Sequence, residues 1–388
     1  MKLTAAALLA LVAAPAAADP LRLRADALAT TQSPVGLLVL DADATPAELL
    51  SAEAIVWTAA SPLPGEREGD VLVIALRART ADGRGRGQLG RFVATMGALR
   101  PVHIDGGMGH ARLPHRIDVE AYAGIPVLPD VGLGRTWDWV AAARIARRIG
   151  DYGSIGIAAM EQRDHGQIAS EELGVDAGAQ LDKRHDVAAK AAYDLANPGL
   201  AEVTASASRR DRRVRTELYA TYRAASHLLP ATSLFTVLGD VPSVRGGGVV
   251  TWRAAPRLDV IGDAAVRHVD DGYAPAIAAR GRLRLDDRGT SALTGELRRD
   301  GSPDDAWTGA RAALRIALAG ELSASTELEL VVPDHPRGRG VVWPWALAAL
   351  GWDRGAWHAA VAVEASASPE DRYRLDALAQ LGRTWGMP

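Results

Sequence analysis

Arginine occupies every second position at Arg280, Arg282 and Arg284. Arg311 and Arg315 follow the same parity rule further on, and Glu327, Glu329 and Glu364 supply carboxylates in similar settings. Guanidinium and carboxylate groups in this alternation perform no covalent step. They set up a transverse field, and they hold anionic or sugar-like solutes through charge-assisted hydrogen bonds. That is the chemistry of a pore lining. The same groups would equally solvate a water-filled interior and pair with one another. Arg144, Arg147, Arg209, Arg210, Arg212 and Arg213, with Glu217 and Glu296, extend the set on polar parities or at strand ends.

Covalent chemistry has little support. The 388 residues contain no cysteine, which excludes thiolate metal sites, disulfides and cysteine nucleophiles. Nucleophile-elbow, phosphate-loop and dinucleotide motifs are absent from the sequence. Ser226 and His227 are adjacent, so on a strand their side chains would point to opposite faces. His103, His110 and His115 cluster without the spacing of a helical metal site. Asp41 and Asp43 suggest a calcium loop, but the glycine and distal glutamate of such a loop are missing. Thr45-Pro46-Ala47-Glu48 reads instead as a capping box that predicts a short helix. No catalytic residue, cofactor or metal is expected.

The elements that position these charges are strands. In Ile277–Leu285, Ile277, Ala279, Gly281, Leu283 and Leu285 share one parity and the three arginines take the other. A helix would scatter the arginines around its surface. Trp307–Ile316, Glu327–Leu330 and Trp357–Ala365 repeat the alternation. Turn chemistry separates the segments, as in Asp164-His165-Gly166, Asn197-Pro198-Gly199 and Asp353-Arg354-Gly355. Consecutive antiparallel hairpins of this kind predict an all-β fold, a transmembrane up-and-down antiparallel β-barrel of roughly 16 to 20 strands. The sequence lacks the long apolar run that a transmembrane helix needs, so membrane entry would require a closed barrel. Trp137, Trp139, Trp343, Trp345, Trp357 and Trp385 lie at or near predicted strand ends, where interfacial aromatics belong. Arg100 to Arg116 and Ala224 to Gly248 are weakly patterned, and a long connection can fold inward as a constriction.

Met1-Lys2, an apolar run over Leu3 to Val12 and the small residues Ala16-Ala17-Ala18 describe a signal peptide over residues 1–18. Residues 19–69 are expected to hold N-terminal strands and the short helix, in or beside the barrel. Residues 70–388 are expected to form the barrel itself. The formal net charge of −3 gives no support for a nucleic-acid partner.

Three segments carry a resemblance: Gln88-Leu89-Gly90-Arg91-Phe92, Leu99 to the Asp105-Gly106 turn, and Val119-Glu120-Ala121-Tyr122-Ala123-Gly124. This block resembles one found in large bacterial outer-membrane β-barrel proteins, among them porin-like and polysaccharide-export-type barrels of roughly 16–18 strands. The resemblance implies outer-membrane localisation and an aqueous channel, either a port for a secreted polysaccharide or a porin for small polar solutes. The alternative is a non-conducting barrel that anchors an envelope or surface complex. The partners implied are outer-membrane lipid, the barrel-assembly machinery and periplasmic export components.

Overall fold

The computed structural model describes residues 19–30, 36–60, 67–127, 137–224, 243–269, 272–301, 306–318, 320–336, 340–368 and 372–386. The signal-peptide segment 1–18, the Ser226-His227 pair and the body of the Ala224 to Gly248 stretch lie outside them.

Twenty-two strands form one antiparallel sheet. In chain order they run from β1 (Asp19–Thr30), β2 (Gly36–Ala47), β3 (Leu50–Ala60), β4 (Arg67–Arg79), β5 (Gly85–Ala94) and β6 (Val102–Leu113) to β7 (Ile117–Pro126), β8 (Trp137–Ile149), β9 (Gly153–Asp164), β10 (Gln167–Gln180) and β11 (His185–Asp194). They continue through β12 (Gly199–Arg210), β13 (Val214–Arg223), β14 (Ser243–Ala255), β15 (Leu258–Val269), β16 (Gly272–Arg284) and β17 (Ala292–Asp300). The last are β18 (Trp307–Ala317), β19 (Leu322–Pro333), β20 (Trp343–Arg354), β21 (Trp357–Ser366) and β22 (Arg374–Gly386). Each strand pairs with its neighbours in sequence, and β1 pairs with β22 from Arg22↔Gly386 to Thr30↔Leu378. That last ladder closes the sheet, so no edge remains.

The wall is two-faced because the strand period is two. On one face Leu218, Leu297, Ile157 and Val361 stand exposed, each more than half accessible. The opposite parity carries Arg280, Glu296, Asp263, Glu172 and Arg144. A continuous apolar outer face and a charged inner face are what a membrane-spanning barrel requires. The termini share one end of the barrel with short connections, such as 48–49 and 256–257. Longer connections, among them 95–101 and 334–342, lie at the other end.

Several sequence expectations are corrected here. The strand number exceeds the count read from alternation. The weakly patterned Arg100 to Arg116 stretch is mostly β6, and Gly246, Gly247 and Gly248 sit inside β14. Glycine contributes no side chain, so strands rich in it show no alternation to read. Asp105-Gly106 lies within β6 and is not a turn. The capping box forms no helix: Thr45 to Ala47 finish β2, and Ala47 pairs with Leu50 around a tight turn. Pairing with β1 and β3 overrides a local helix-start signal only a few residues long.

Candidate functional site: an inward hairpin facing a charged wall

The β4–β5 ladder begins at Arg79↔Arg86 and ends at Ile74↔Arg91. Beyond that point β4 still pairs with β3, while β5 and β6 stay paired as far as Ala94↔Val102. The upper β5–β6 hairpin therefore parts from β4, while β6 stays paired with β7 as far as Ile104↔Pro126. Gly90, Gly106 and Gly124 lie in one cross-strand row at the departure point. Gly90 has φ +124°, and a Cβ there would run into the Ile74 carbonyl. A Cβ at Gly124 would lie 2.6 Å from the Asp105 carbonyl oxygen. Only glycine permits backbones this close and a positive φ at the bend.

One face of the hairpin packs on the inner wall. Phe92, Ala94, Val102 and Ile104 are buried against Tyr122, Val140, Ala142, Ala158 and Met160. Burial of apolar side chains inside the barrel stabilises the folded-in position by roughly 25 cal/mol per Å² removed from water. The tip, residues 95–101, crosses to β8 and β10. Gly97 lies against Arg144 and Asp176, and Ala98 and Leu99 lie over Gly174.

The tip is latched by charge. Arg100 Nε donates to Glu172 Oε1 at 2.5 Å, and the Arg100 backbone N–H donates to Glu172 Oε2 at 3.3 Å. Arg100 also donates to the Ser170 hydroxyl. The Glu172 side chain is fully buried. A carboxylate in that position is stable only while its cation stays, because a buried unpaired charge is costly. Beside it, Arg144 forks onto Asp176 at 2.9 and 2.5 Å and approaches Glu120 at 3.6 Å.

At the root of the hairpin side chains replace the missing ladder. Arg91 forks onto Asp105 at 2.7 and 3.0 Å, and its third nitrogen donates to Asp70 at 2.9 Å and to the Val71 carbonyl at 3.0 Å. His103 Nε2 donates to the Leu72 carbonyl at 2.8 Å. These β4 carbonyls have no β5 partner, so the two side chains meet a need that the bend creates.

The charged wall lies further round the barrel, on β14 to β20. Arg280 pairs with Glu296 at 2.6 Å and Arg311 with Glu327 at 2.6 Å, while Arg298 bridges to Glu329. Arg284 approaches Asp259 at 3.9 Å and donates to the Pro256 carbonyl at 2.7 Å. Arg282 and Arg315 are exposed and have no carboxylate partner among the described residues. Arg253, Asp259, Arg280, Arg282, Arg315 and Glu327 border a groove of about 650 Å³ on this wall. All eight charges singled out in the sequence thus share the inner parity of the wall, opposite the exposed Leu283, Leu293, Leu328 and Val363.

The tryptophans divide. Trp139, Trp357 and Trp385 stand exposed at strand ends on the outer face. The side chain of Trp137 lies outside the described residues. Trp343 and Trp345 depart from the girdle expectation. Trp345 is paired with Glu329, and its indole N–H donates to Glu364 Oε1 at 2.7 Å, which places it on the inner face. Trp343 has the same parity. Position near a strand end sets the depth of a residue, whereas parity sets its face.

The three histidines do not converge. His103 serves the hairpin root, His110 lies 3.7 Å from Asp118, and His115 sits in the β6–β7 connection. Among the described residues no group of three or more metal-ligating side chains is placed to hold an ion.

Arg91, Asp105, Arg100 and Glu172 were not singled out as site residues. The only sequence signal was the block around Gly90, Gly106 and Gly124, whose spacing is set by the glycine row.

No protein-family model matches this chain, and no curated protein matches it. Solved structures do. The translocation pore of the P pilus usher PapC aligns with a TM-score of 0.56 at 9% identity, covering 95% of this chain and 99% of that one. An Escherichia coli P pilus tip assembly intermediate, PapC-PapD-PapK-PapG, aligns with a TM-score of 0.53 at 10% identity, covering 95% of this chain and 61% of that one. At these identities the likeness shows the fold. The chain has the architecture of a large outer-membrane β-barrel, closed at 22 strands.

Proposed function

We propose that this chain forms an aqueous channel in the outer membrane, constricted by the β5–β6 hairpin and lined opposite it by paired arginines and carboxylates. The observation that carries this reading is the latch: a fully buried Glu172 holds Arg100 of the hairpin tip across part of the lumen. A structural anchor has no need of an inward gate facing a polar wall. A barrel of this width has more lumen than side chains alone can fill, so the hairpin narrows one sector and leaves the charged sector open to water.

The cargo we assign is polar and rich in hydroxyl or anionic groups, such as small sugars or a carbohydrate chain. Alternating guanidinium and carboxylate groups offer donors and acceptors together, and Arg282 and Arg315, without carboxylate partners among the described residues, favour anions. The chain is delivered by the signal peptide and inserted by the barrel-assembly machinery, and a secreted polymer would be handed over by periplasmic export components.

The test is planar-bilayer conductance of the purified barrel, with a liposome-swelling series of sugars of graded size. Discrete conductance steps and swelling that falls off with sugar size support the channel. A folded barrel that neither conducts nor admits any sugar, with the hairpin latch broken by Arg100→Ala as well as intact, supports the anchoring alternative instead.

A further inference from the structure

Arg383 breaks the rule that governs the other arginines stacked on aromatic rings. Arg163 over Trp139 also bonds Glu161, Arg245 over Tyr219 lies 3.7 Å from Asp263, and Arg298 over Trp307 bridges to Glu329. Arg383 is held between two rings, 4.7 Å from the Trp357 centroid and 5.0 Å from that of Trp385. What sets it apart is that it has no carboxylate partner among the described residues; its Nε is buried without a hydrogen bond, as are those of Arg245 and Arg298.

Its position is equally specific. Arg383 lies in register with Trp357 on β21 and Ala25 on β1. It shares the outer parity of the exposed Leu381, Leu375 and Trp385, while the polar Gln380 and His358 take the inner one. It also sits near the end of the barrel that carries the termini and the short connections, which in such barrels faces the periplasm. A lone cation on the lipid side at that depth meets the headgroup layer of the inner leaflet. Two indoles fix its plane, and a guanidinium fork matches two oxygens of a phosphate.

We propose that Arg383, Trp357 and Trp385 form a binding site for the phosphate of one membrane phospholipid at the β21–β22–β1 closure. The two rings flank the headgroup, and the acyl chains run along Leu381, Ala379 and Val361. The inference rests on the membrane reading of the fold. A closed barrel that lacks this site is therefore told apart from a chain that forms no barrel by the difference in SDS-gel mobility between boiled and unboiled samples, which reports barrel closure independently of any bound lipid.

The experiment is native mass spectrometry of the folded barrel in detergent, titrated with phosphatidylglycerol and, separately, with a galactolipid of matched chains that has no phosphate. One phosphatidylglycerol should remain bound per barrel, about tenfold more tightly than the galactolipid. Arg383→Gln should remove that preference while the mobility shift is kept. Should Arg383→Gln fail to fold, the comparison of the two lipids on the unaltered protein still decides the matter. Equal retention of the two lipids overturns the site. Millimolar inorganic phosphate that displaces the bound phospholipid shows a free-anion site and overturns the lipid assignment.

Discussion

His358 on β21 reaches past β22 to place its Nε2 2.5 Å from Asp26 on β1. The contact spans the strand that closes the barrel, and it is possible because Gly382 lies between the two in register. Gln380 donates to the same carboxylate oxygen at 3.2 Å, and Arg24 pairs with Asp26 at 2.6 Å. A Cβ at Gly382 would collide with the His358 ring. Gly382→Ala should therefore push His358 off Asp26 and cost about 1 kcal/mol, the net worth of one hydrogen bond, because Arg24 and Gln380 still satisfy the carboxylate. The readout is the temperature at which the unboiled form is lost on SDS gels, which should fall. Gly382→Ala with His358→Ala should recover part of the loss, because the clash is removed.

Arg100→Ala should release the hairpin tip. It leaves Glu172 buried without its cation, a change that costs about 3–5 kcal/mol where a buried pair is broken. That energy is relieved locally if the hairpin moves and water reaches Glu172. The expected outcome is a larger mean single-channel conductance with a near-unchanged mobility shift. Glu172→Gln should act in the same direction more weakly, since the amide still offers Arg100 an acceptor. Unchanged conductance in both variants would refute the latch.

Charge selectivity should follow Arg282 and Arg315, which have no carboxylate partner among the described residues. Arg282→Gln with Arg315→Gln removes two positive charges from the wall groove and leaves the Arg280–Glu296 and Arg311–Glu327 pairs intact. The reversal potential in a salt gradient should shift toward cation preference, and the shift should shrink at high ionic strength as screening grows.

The glycine row should tolerate no side chain. Gly90→Val adds a branched Cβ at φ +124°, against the Ile74 carbonyl. The hairpin could then no longer bend inward at that point. Refolding yield, read as the fraction of protein with shifted mobility, should fall sharply, whereas Gly281→Val on β16, where a Cβ meets open space, should leave it nearly unchanged.

The turn between β10 and β11 gives a pH signature outside the membrane. Asp182 is held down at about 2, first by the hydrogen bond from the His185 ring and then by the Arg184 N–H. A carboxylate whose pKa is depressed on folding stabilises above its ordinary value and loses that contribution as pH falls through the folded one. Protection of the Arg184 and His185 amides relative to their intrinsic exchange rates should thus be kept at neutral pH and fall between about pH 4 and pH 2. Asp182→Asn should show lower protection already at neutral pH, and that protection should not change further as the pH falls.

The sequence by itself determined the wall. Alternation at Arg280, Arg282 and Arg284 against Ile277, Leu283 and Leu285 is a local property, because the strand period alone assigns successive residues to opposite faces. It carried the β-barrel class, the shared parity of the eight charges and the places of most turns. Tertiary structure decided what depends on distant partners. Arg100 meets Glu172 only because the chain bends at Gly90 and Gly106, and neither glycine shows a pattern of its own. Thr45-Pro46-Ala47-Glu48 carries a helix start that ladders from β1 and β3 overrule. Trp345 looks like a girdle residue until its register with Glu329 turns it inward. His358 and Asp26 lie at opposite ends of the chain and meet only at closure. Periodicity is written residue by residue, whereas register, closure and the fate of a hairpin that parts from β4 are set by which strands lie beside one another.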